Sequence, residues 1–303
     1  MDKIIIIAGP TASGKTDTAS ETALRVNGEV ISADSMQVYR NMDIGTATPS
    51  LEEMRGVKHW LISEIEPDDE YSVQVFCDMA RVYITDILAR GKVPIICGGT
   101  GFYTNALLYG NNFGETDMEL RNELIQFAEV NGAEALHARL REVDPQYAET
   151  THANNVRRVA RALDFFLTTG KKFSEHNEKE KQREPFYDAN IFVLDMDRQK
   201  LYDRIEQRVD LMMEKGLVAE VSRLLDMGYD ESLQSMQGLG YKEIVKYLKG
   251  EISLDEAVEM LKTGTRRFAK RQGTWFRHQL NGVWLNTADY DGAKGLAESI
   301  IGG

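Results

Sequence analysis

Near the start of the chain, Gly9-Pro10-Thr11-Ala12-Ser13-Gly14-Lys15-Thr16 has the spacing G-x-x-x-x-G-K-T. Glycines in such a loop let backbone N–H groups curl around phosphate oxygens, the lysine supplies a point charge, and the final hydroxyl can ligate Mg²⁺. The loop follows Ile4-Ile5-Ile6-Ile7, a β-branched run suited to a strand buried on both faces, and it opens a helical pattern over residues 18–26. That context favours a phosphate cradle over an ordinary glycine turn. Three other apolar runs also end on polar groups. Glu29-Val30-Ile31-Ser32-Ala33 leads to Asp34-Ser35-Met36-Gln37, Val93-Pro94-Ile95-Ile96-Cys97 leads to Gly98-Gly99-Thr100-Gly101, and Ile191-Phe192-Val193-Leu194 ends at Asp195. In open parallel sheets the ligand lies beyond the carboxyl ends of the strands. A phosphate cradle, a carboxylate, an amide and a hydroxyl are therefore expected at one crevice. Taken singly, Asp34 reads equally well as a helix N-cap and Thr100 as a turn hydroxyl.

The elements that must position these groups alternate between strand and helix, which indicates a parallel sheet. Helical spacing recurs over residues 72–90, 199–215, 218–226, 241–248 and 254–277. Residues 117–187 break the alternation and are wholly helical in pattern, so they are expected to form an insertion between a first core segment, 1–116, and a continuation, 188–303. The charged stretch 171–184 is expected to be a mobile loop. At 303 residues with 42% hydrophobic and 28% charged residues, the chain has the composition of a folded protein of about two domains, given roughly 150 residues per domain. No apolar run approaches the roughly 20 residues of a membrane span, and the opening lacks a signal-peptide layout. Two cysteines cannot build a disulfide framework or a four-ligand zinc site, so a cytoplasmic location is expected. The net charge of −12 argues against nonspecific nucleic-acid binding by the whole surface. Two basic clusters stand out against it. Residues 262–277 hold six Lys/Arg and no acid, with Trp275 and Phe276 among them, and residues 154–172 hold five basic residues and one acid. Such faces are usually solvated, but two on an acidic chain are candidates for RNA phosphate contacts.

Read together, the phosphate loop, Ser32-Ala33-Asp34-Ser35-Met36-Gln37-Val38-Tyr39, Asp43-Ile44-Gly45-Thr46-Ala47, Gly98-Gly99-Thr100-Gly101-Phe102-Tyr103, Arg157-Arg158-Val159-Ala160-Arg161-Ala162-Leu163, Gly240-Tyr241-Lys242-Glu243 and Lys270-Arg271-Gln272-Gly273-Thr274-Trp275-Phe276-Arg277 resemble the tRNA dimethylallyltransferases, also called tRNA isopentenyltransferases. The resemblance runs in order along nearly the whole chain. It departs from the usual pattern at Thr48, Trp60, Asn155 and Gly273. It implies an α/β fold with a P-loop NTPase-like core, a parallel sheet flanked by helices, and an all-helical insertion that grips tRNA. It also implies a substrate pair, dimethylallyl diphosphate and the anticodon stem-loop of a tRNA, with Mg²⁺ as cofactor and a monomeric enzyme. On that reading Gly9 to Thr16 bind the diphosphate, with Thr16 on the metal. Asp34 is the base, Lys15 and Arg208 meet the diphosphate, and Thr100 sits between donor and target base. The implied tRNA contacts are Asp34, Ser35, Met36, Gln37, Thr100, Arg121, Arg157, Arg158, Arg161, Gly240, Tyr241, Lys242, Arg266, Lys270, Arg271, Gln272, Trp275 and Arg277.

Three other functions share some of these residues. An ATP-dependent small-molecule kinase would use the same loop, but needs an Asp after a neighbouring strand to hold magnesium. The run 93–97 meets glycines instead, leaving Asp195 and Asp197 as candidates. A free-adenylate isopentenyltransferase would not need the helical insertion or the basic segment. A noncatalytic RNA-binding protein would not need Lys15, Thr16, Asp34 and Thr100 together.

Overall fold

The computed structural model describes residues 2–110, 118–181 and 183–302. In chain order the elements are β1 (Lys3–Ala8), α1 (Lys15–Val26), β2 (Gly28–Ser32), α2 (Leu51–Met54), β3 (His59–Trp60), α3 (Val73–Ala89), β4 (Val93–Gly98) and α4 (Gly101–Tyr109). Then come α5 (Met118–Asn131), α6 (Ala133–Val143), α7 (Pro145–Thr150), α8 (Val156–Thr169) and α9 (Phe173–Lys181). The chain returns to the sheet with β5 (Asp188–Asp195) and continues through α10 (Arg198–Glu214), α11 (Leu217–Asp226), α12 (Tyr241–Leu248), α13 (Leu254–Gln279), β6 (Val283–Asn286) and α14 (Gly292–Gly302). Among the described residues no helix is long and apolar enough to cross a membrane.

The six strands form one parallel sheet in the order β3-β2-β4-β1-β5-β6. β1 lies between β4 and β5, and Ile4, Ile6 and Ile7 are buried on both faces of the sheet, which is why its isoleucines form a continuous run rather than an alternation. Ile7 of β1 packs with Val30, Ile95, Cys97, Phe192 and Leu194 from neighbouring strands, and Ala19 and Ala23 of α1 with Leu296 and Ile300 of α14 belong to the same buried cluster. The small alanines let α1 sit close to the sheet, which fixes where its N-terminus, and hence the phosphate loop, must lie.

Contacts divide the chain into two compact units, Met1–Leu108 with Phe186–Gly303, and Tyr109–Pro185. The 116/117 boundary expected from sequence lies outside the described residues. The second unit has its own core of Leu124, Ala128, Leu136, Leu140, Val159, Leu163, Phe165 and Phe173. The stretch 171–184, expected to be a loop, contains α9. Charge periodicity hid two anchors. Phe173 is buried with its ring edge-on to Tyr147 and Phe165, and Ser174 donates through both N–H and Oγ to the buried Asp144. Asp144 also accepts from Tyr147 N–H to cap α7, so one carboxylate satisfies the starts of two helices.

Candidate active site

The loop between β1 and α1 is built around conformations that favour glycine. Gly9 has φ 151°, and a Cβ there would lie 2.8 Å from the Leu194 carbonyl of β5. Gly14 has φ 91°, and Ala12 has φ 64°. Ser13 N–H donates to Pro10 O at 3.3 Å, while the buried Ser13 Oγ has no partner among the described residues. Lys15 Nζ donates to Pro10 O at 2.6 Å, so its ammonium is folded over its own loop. Burial lowers the Lys15 pKa to about 8, with the cationic Arg208 lowering it further and the Asp34 carboxylate opposing the shift. Burial likewise lowers Arg208, again opposed by Asp34. Arg208, on α10, donates to Thr11 Oγ1 at 3.3 Å and to Ala47 O at 3.5 Å.

The ends of β2 and β4 meet beside this loop. Ala33 N–H donates to Cys97 O, and Thr100 N–H donates to Ala33 O. Asp34 accepts Met36 N–H on Oδ1 at 2.9 Å, a turn rather than a helix cap, and its second oxygen takes no hydrogen bond among the described residues. The Thr100 hydroxyl is likewise unengaged there. Asp34 and Thr100 thus lie in the loops at the carboxyl ends of β2 and β4, Lys15 directly after the loop that follows β1, and Arg208 reaches that first loop from α10. Asp195, at the end of β5, pairs with Arg277 at 3.6 Å, and the described residues contain no cluster of three His, Cys, Asp or Glu suited to a metal.

Several residues expected to meet RNA also have partners within the protein. Gln37 is a brace: it accepts from Ser32 Oγ at 2.8 Å and donates towards Thr46 O and Ala47 O. Gln272 is buried, accepts Thr11 N–H at 2.8 Å and donates to Gly99 O at 2.9 Å, so both ends of its amide serve the protein. Tyr241 is fully buried at the start of α12, after Gly240 at φ 98°, and its hydroxyl donates to Glu220. Trp275 is half-buried, with its ring against Gly101. Arg121 pairs with the fully buried Asp164 at 2.6 Å, and Arg161 is half-buried near the Phe173 ring. Arg266 is held by Glu206 and Glu259. Charge and aromatic type in the sequence do not reveal such partners, which distant elements supply. Arg157, Arg158, Lys270, Arg271 and Arg277 are exposed, and Lys242 is 43% exposed with Glu243 3.9 Å away. Ser35 and Met36 are half-buried beside Asp34.

Glu220, on α11, was not visible as a functional position. It is 2% exposed and accepts from Ile44 N–H, Gly45 N–H and Tyr241 OH at 2.8–3.0 Å. Three donors on one buried carboxylate fix the 43–47 loop whose Ala47 carbonyl receives Arg208. The sequence signal was Gly45, where a Cβ would lie 2.6 Å from the Tyr241 ring. The departures at Thr48, Trp60, Asn155 and Gly273 are absorbed locally. Thr48 bonds Thr46, Trp60 donates to Glu29, Asn155 precedes α8 without a side-chain cap, and a Cβ at Gly273 would enter open space.

Comparisons with known proteins agree with this architecture. A family model described as IPP transferase matches residues 37–279, and one described as isopentenyl transferase matches residues 2–66. A tRNA dimethylallyltransferase of Acetivibrio thermocellus is 53% identical over 99% of this chain and 96% of its own length. One of Lachnoclostridium phytofermentans is 49% identical over 99% and 97%. Among solved structures, a tRNA isopentenylpyrophosphate transferase of Bacillus halodurans superposes with a TM-score of 0.75 at 44% identity, covering 99% of this chain and 95% of that one. A eukaryotic dimethylallyltransferase described as acting on tRNA gives 0.79 at 30% identity, covering 94% and 74%.

Proposed function

The chain belongs to the IPP transferase family, and from that premise we propose that it transfers a dimethylallyl group from dimethylallyl diphosphate to N6 of the adenine on the 3′ side of the anticodon in tRNA. The carbon–oxygen bond to diphosphate breaks and a carbon–nitrogen bond to N6 forms. The surplus N6 proton passes to Asp34, and diphosphate leaves. The observation that carries the proposal is the pairing of a phosphate loop flanked by two half-buried cations, Lys15 and Arg208, with a carboxylate oxygen on Asp34 that takes no hydrogen bond among the described residues. Cations and loop amides stabilise the charge that develops on a leaving diphosphate, and a carboxylate beside the acceptor amine serves as the general base. Thr100, in the adjoining loop, positions the reacting amine and the diphosphate relative to each other.

Mg²⁺ fits the donors present. The Thr16 hydroxyl lies in the first turn of α1, directly behind a loop whose buried Ser13 Oγ lacks a partner among the described residues, and magnesium favours one or two protein oxygens completed by phosphate oxygens and water. Held by Thr16, it would neutralise charge on the diphosphate. The exposed Arg157, Arg158, Lys270, Arg271 and Arg277 and the half-buried Lys242 are the cations we assign to the tRNA backbone, with Ser35, Met36 and Thr100 nearest the target base. The adenine must leave its stack to reach Asp34. We place the enzyme in the cytoplasm and expect it to act as a monomer.

The test is mass spectrometry of tRNA nucleosides after incubation with dimethylallyl diphosphate, Mg²⁺ and unmodified tRNA. A mass gain confined to one adenosine is expected, and its absence refutes the proposal. Inorganic diphosphate should compete with the donor far better than ATP does. The reverse order would favour a kinase.

A further inference from the structure

Helix α13 approaches the site in an unusual way for a helix whose flank is basic. Two of the glycines after β4 are spaced for it. A Cβ at Gly99 would lie 2.3 Å from Gln272 Nε2, and one at Gly101 would lie 2.1 Å from the Trp275 ring. Thr100, between them, is thereby fixed from both sides. Gln272 is 7% exposed and spends its whole amide on two loops, accepting Thr11 N–H and donating to Gly99 O. Thr11 is gripped a second time by Arg208 on its hydroxyl.

We infer that Gln272 is a positioning residue for the donor site: it locks the phosphate loop at Thr11 to the Gly99-Thr100 loop, setting the distance between the leaving diphosphate and Thr100. The inference rests on the transferase reading for its kinetic consequence, but not for its structural one. Removing the amide leaves the half-buried Thr11 N–H without its partner and the Gly99 carbonyl with only the Gly101 N–H, 3.2 Å away within its own loop, so no bond joins the two loops at this point. The two loops would then shift independently. Phosphate affinity and turnover should suffer, while exposed cations such as Lys270 and Arg271 keep their places on the helix.

Gln272→Met keeps the side-chain length and helix preference but loses both hydrogen bonds, and Gln272→Glu keeps the acceptor for Thr11 and loses the donor to Gly99. Binding of inorganic diphosphate and of unmodified tRNA to the full chain should be measured separately, with the thermal midpoint recorded for each variant. Gln272→Met is expected to weaken diphosphate binding and lower kcat by about tenfold each, with Gln272→Glu also impaired and tRNA affinity near that of the parent. Loss of tRNA affinity with unchanged diphosphate affinity would instead make Gln272 an RNA contact and overturn the inference. Unchanged diphosphate affinity and kcat in folded Gln272→Met would overturn it too. Should neither variant fold, hydrogen exchange on the parent chain decides: Thr11 N–H should be protected without any ligand, and rapid exchange there refutes the lock. If the parent binds diphosphate but transfers nothing to tRNA, the proposed function fails, while the diphosphate and exchange results still judge Gln272.

Discussion

Asp34 gives one carboxylate oxygen to Met36 N–H and leaves the other unengaged by the protein, which is the arrangement a positioned base requires. Asp34→Ala is expected to slow single-turnover transfer by about 10²–10⁴-fold. tRNA affinity should stay within a small factor, because phosphate contacts carry most of it. Near-parental single-turnover rates would remove Asp34 from the proton's path. Lys15 offers a second handle. Its pKa in the ligand-free protein is about 8, below the ordinary 10.5, because burial disfavours the charge. Diphosphate restores a counter-charge, so binding takes up a proton once the free lysine has lost its own. Relative to Lys15→Met, which shares the titration of diphosphate itself, affinity for inorganic diphosphate should therefore hold its advantage below pH 8 and lose it by up to about tenfold per unit between pH 8 and 10.5. A parent-to-variant affinity ratio that does not change across this window would contradict the assignment. Lys15 was legible from the spacing of the glycine loop after β1, and Asp34 from its place just beyond the run that forms β2 together with the family resemblance. Glu220 and Gln272 were not. Each lies inside a helix, and only tertiary packing discloses that its polar atoms meet backbone groups of loops far away in sequence.

Elements repeat that division. The runs that became β1, β2, β4 and β5 were readable because buried parallel strands need continuous apolar residues. β3 has two residues and β6 four, at the sheet's two edges, too short to show a period. Helix α13 was readable as a helix but not as an interface. Its basic residues look like one face, whereas Lys262 and Arg266 are tied to Asp210, Glu206 and Glu259 across the packing with α10 and along α13 itself. Arg267, Lys270 and Arg271 in this part of the helix are exposed and lack an ion pair among the described residues; Arg271 lies 5.9 Å from the Phe268 ring, and Lys270 and Arg271 are the two that directly precede Gln272. Replacing both with glutamine should reduce the slope of log affinity for tRNA against log salt by about 1.4–1.8, at roughly 0.7–0.9 per phosphate contact. The matching Arg266→Gln variant should leave the slope alone and lower the melting temperature instead, since it breaks ion pairs within the protein. An unchanged slope in the double variant, with the helix intact by circular dichroism, would take α13 out of the RNA interface.

At the scale of the whole molecule, a net charge of −12 means that the chain as a body repels RNA, so binding must come from local clusters of cations. One cluster lies in Tyr109–Pro185, where Arg157 and Arg158 are exposed at the start of α8. That unit has a separate hydrophobic core, and the chain leaves and re-enters the larger unit at adjacent points, with Phe186 N–H donating to Leu108 O at 2.7 Å. Ends one hydrogen bond apart need only a short bridge, and loop closure over so small a gap costs little entropy. A chain lacking residues 109–185, with two or three glycines joining Leu108 to Phe186, should therefore fold cooperatively around the six-stranded sheet. The phosphate loop, Arg208, Gln272 and Asp34 all remain, so inorganic diphosphate should bind as in the parent. tRNA binding should weaken by about tenfold or more, because phosphate contacts from α8 are lost and affinity scales steeply with their number. Full tRNA affinity in the shortened chain would confine the grip to α12 and α13. A folded shortened chain that failed to bind diphosphate would mean that the helical unit takes part in the donor site as well as in holding RNA.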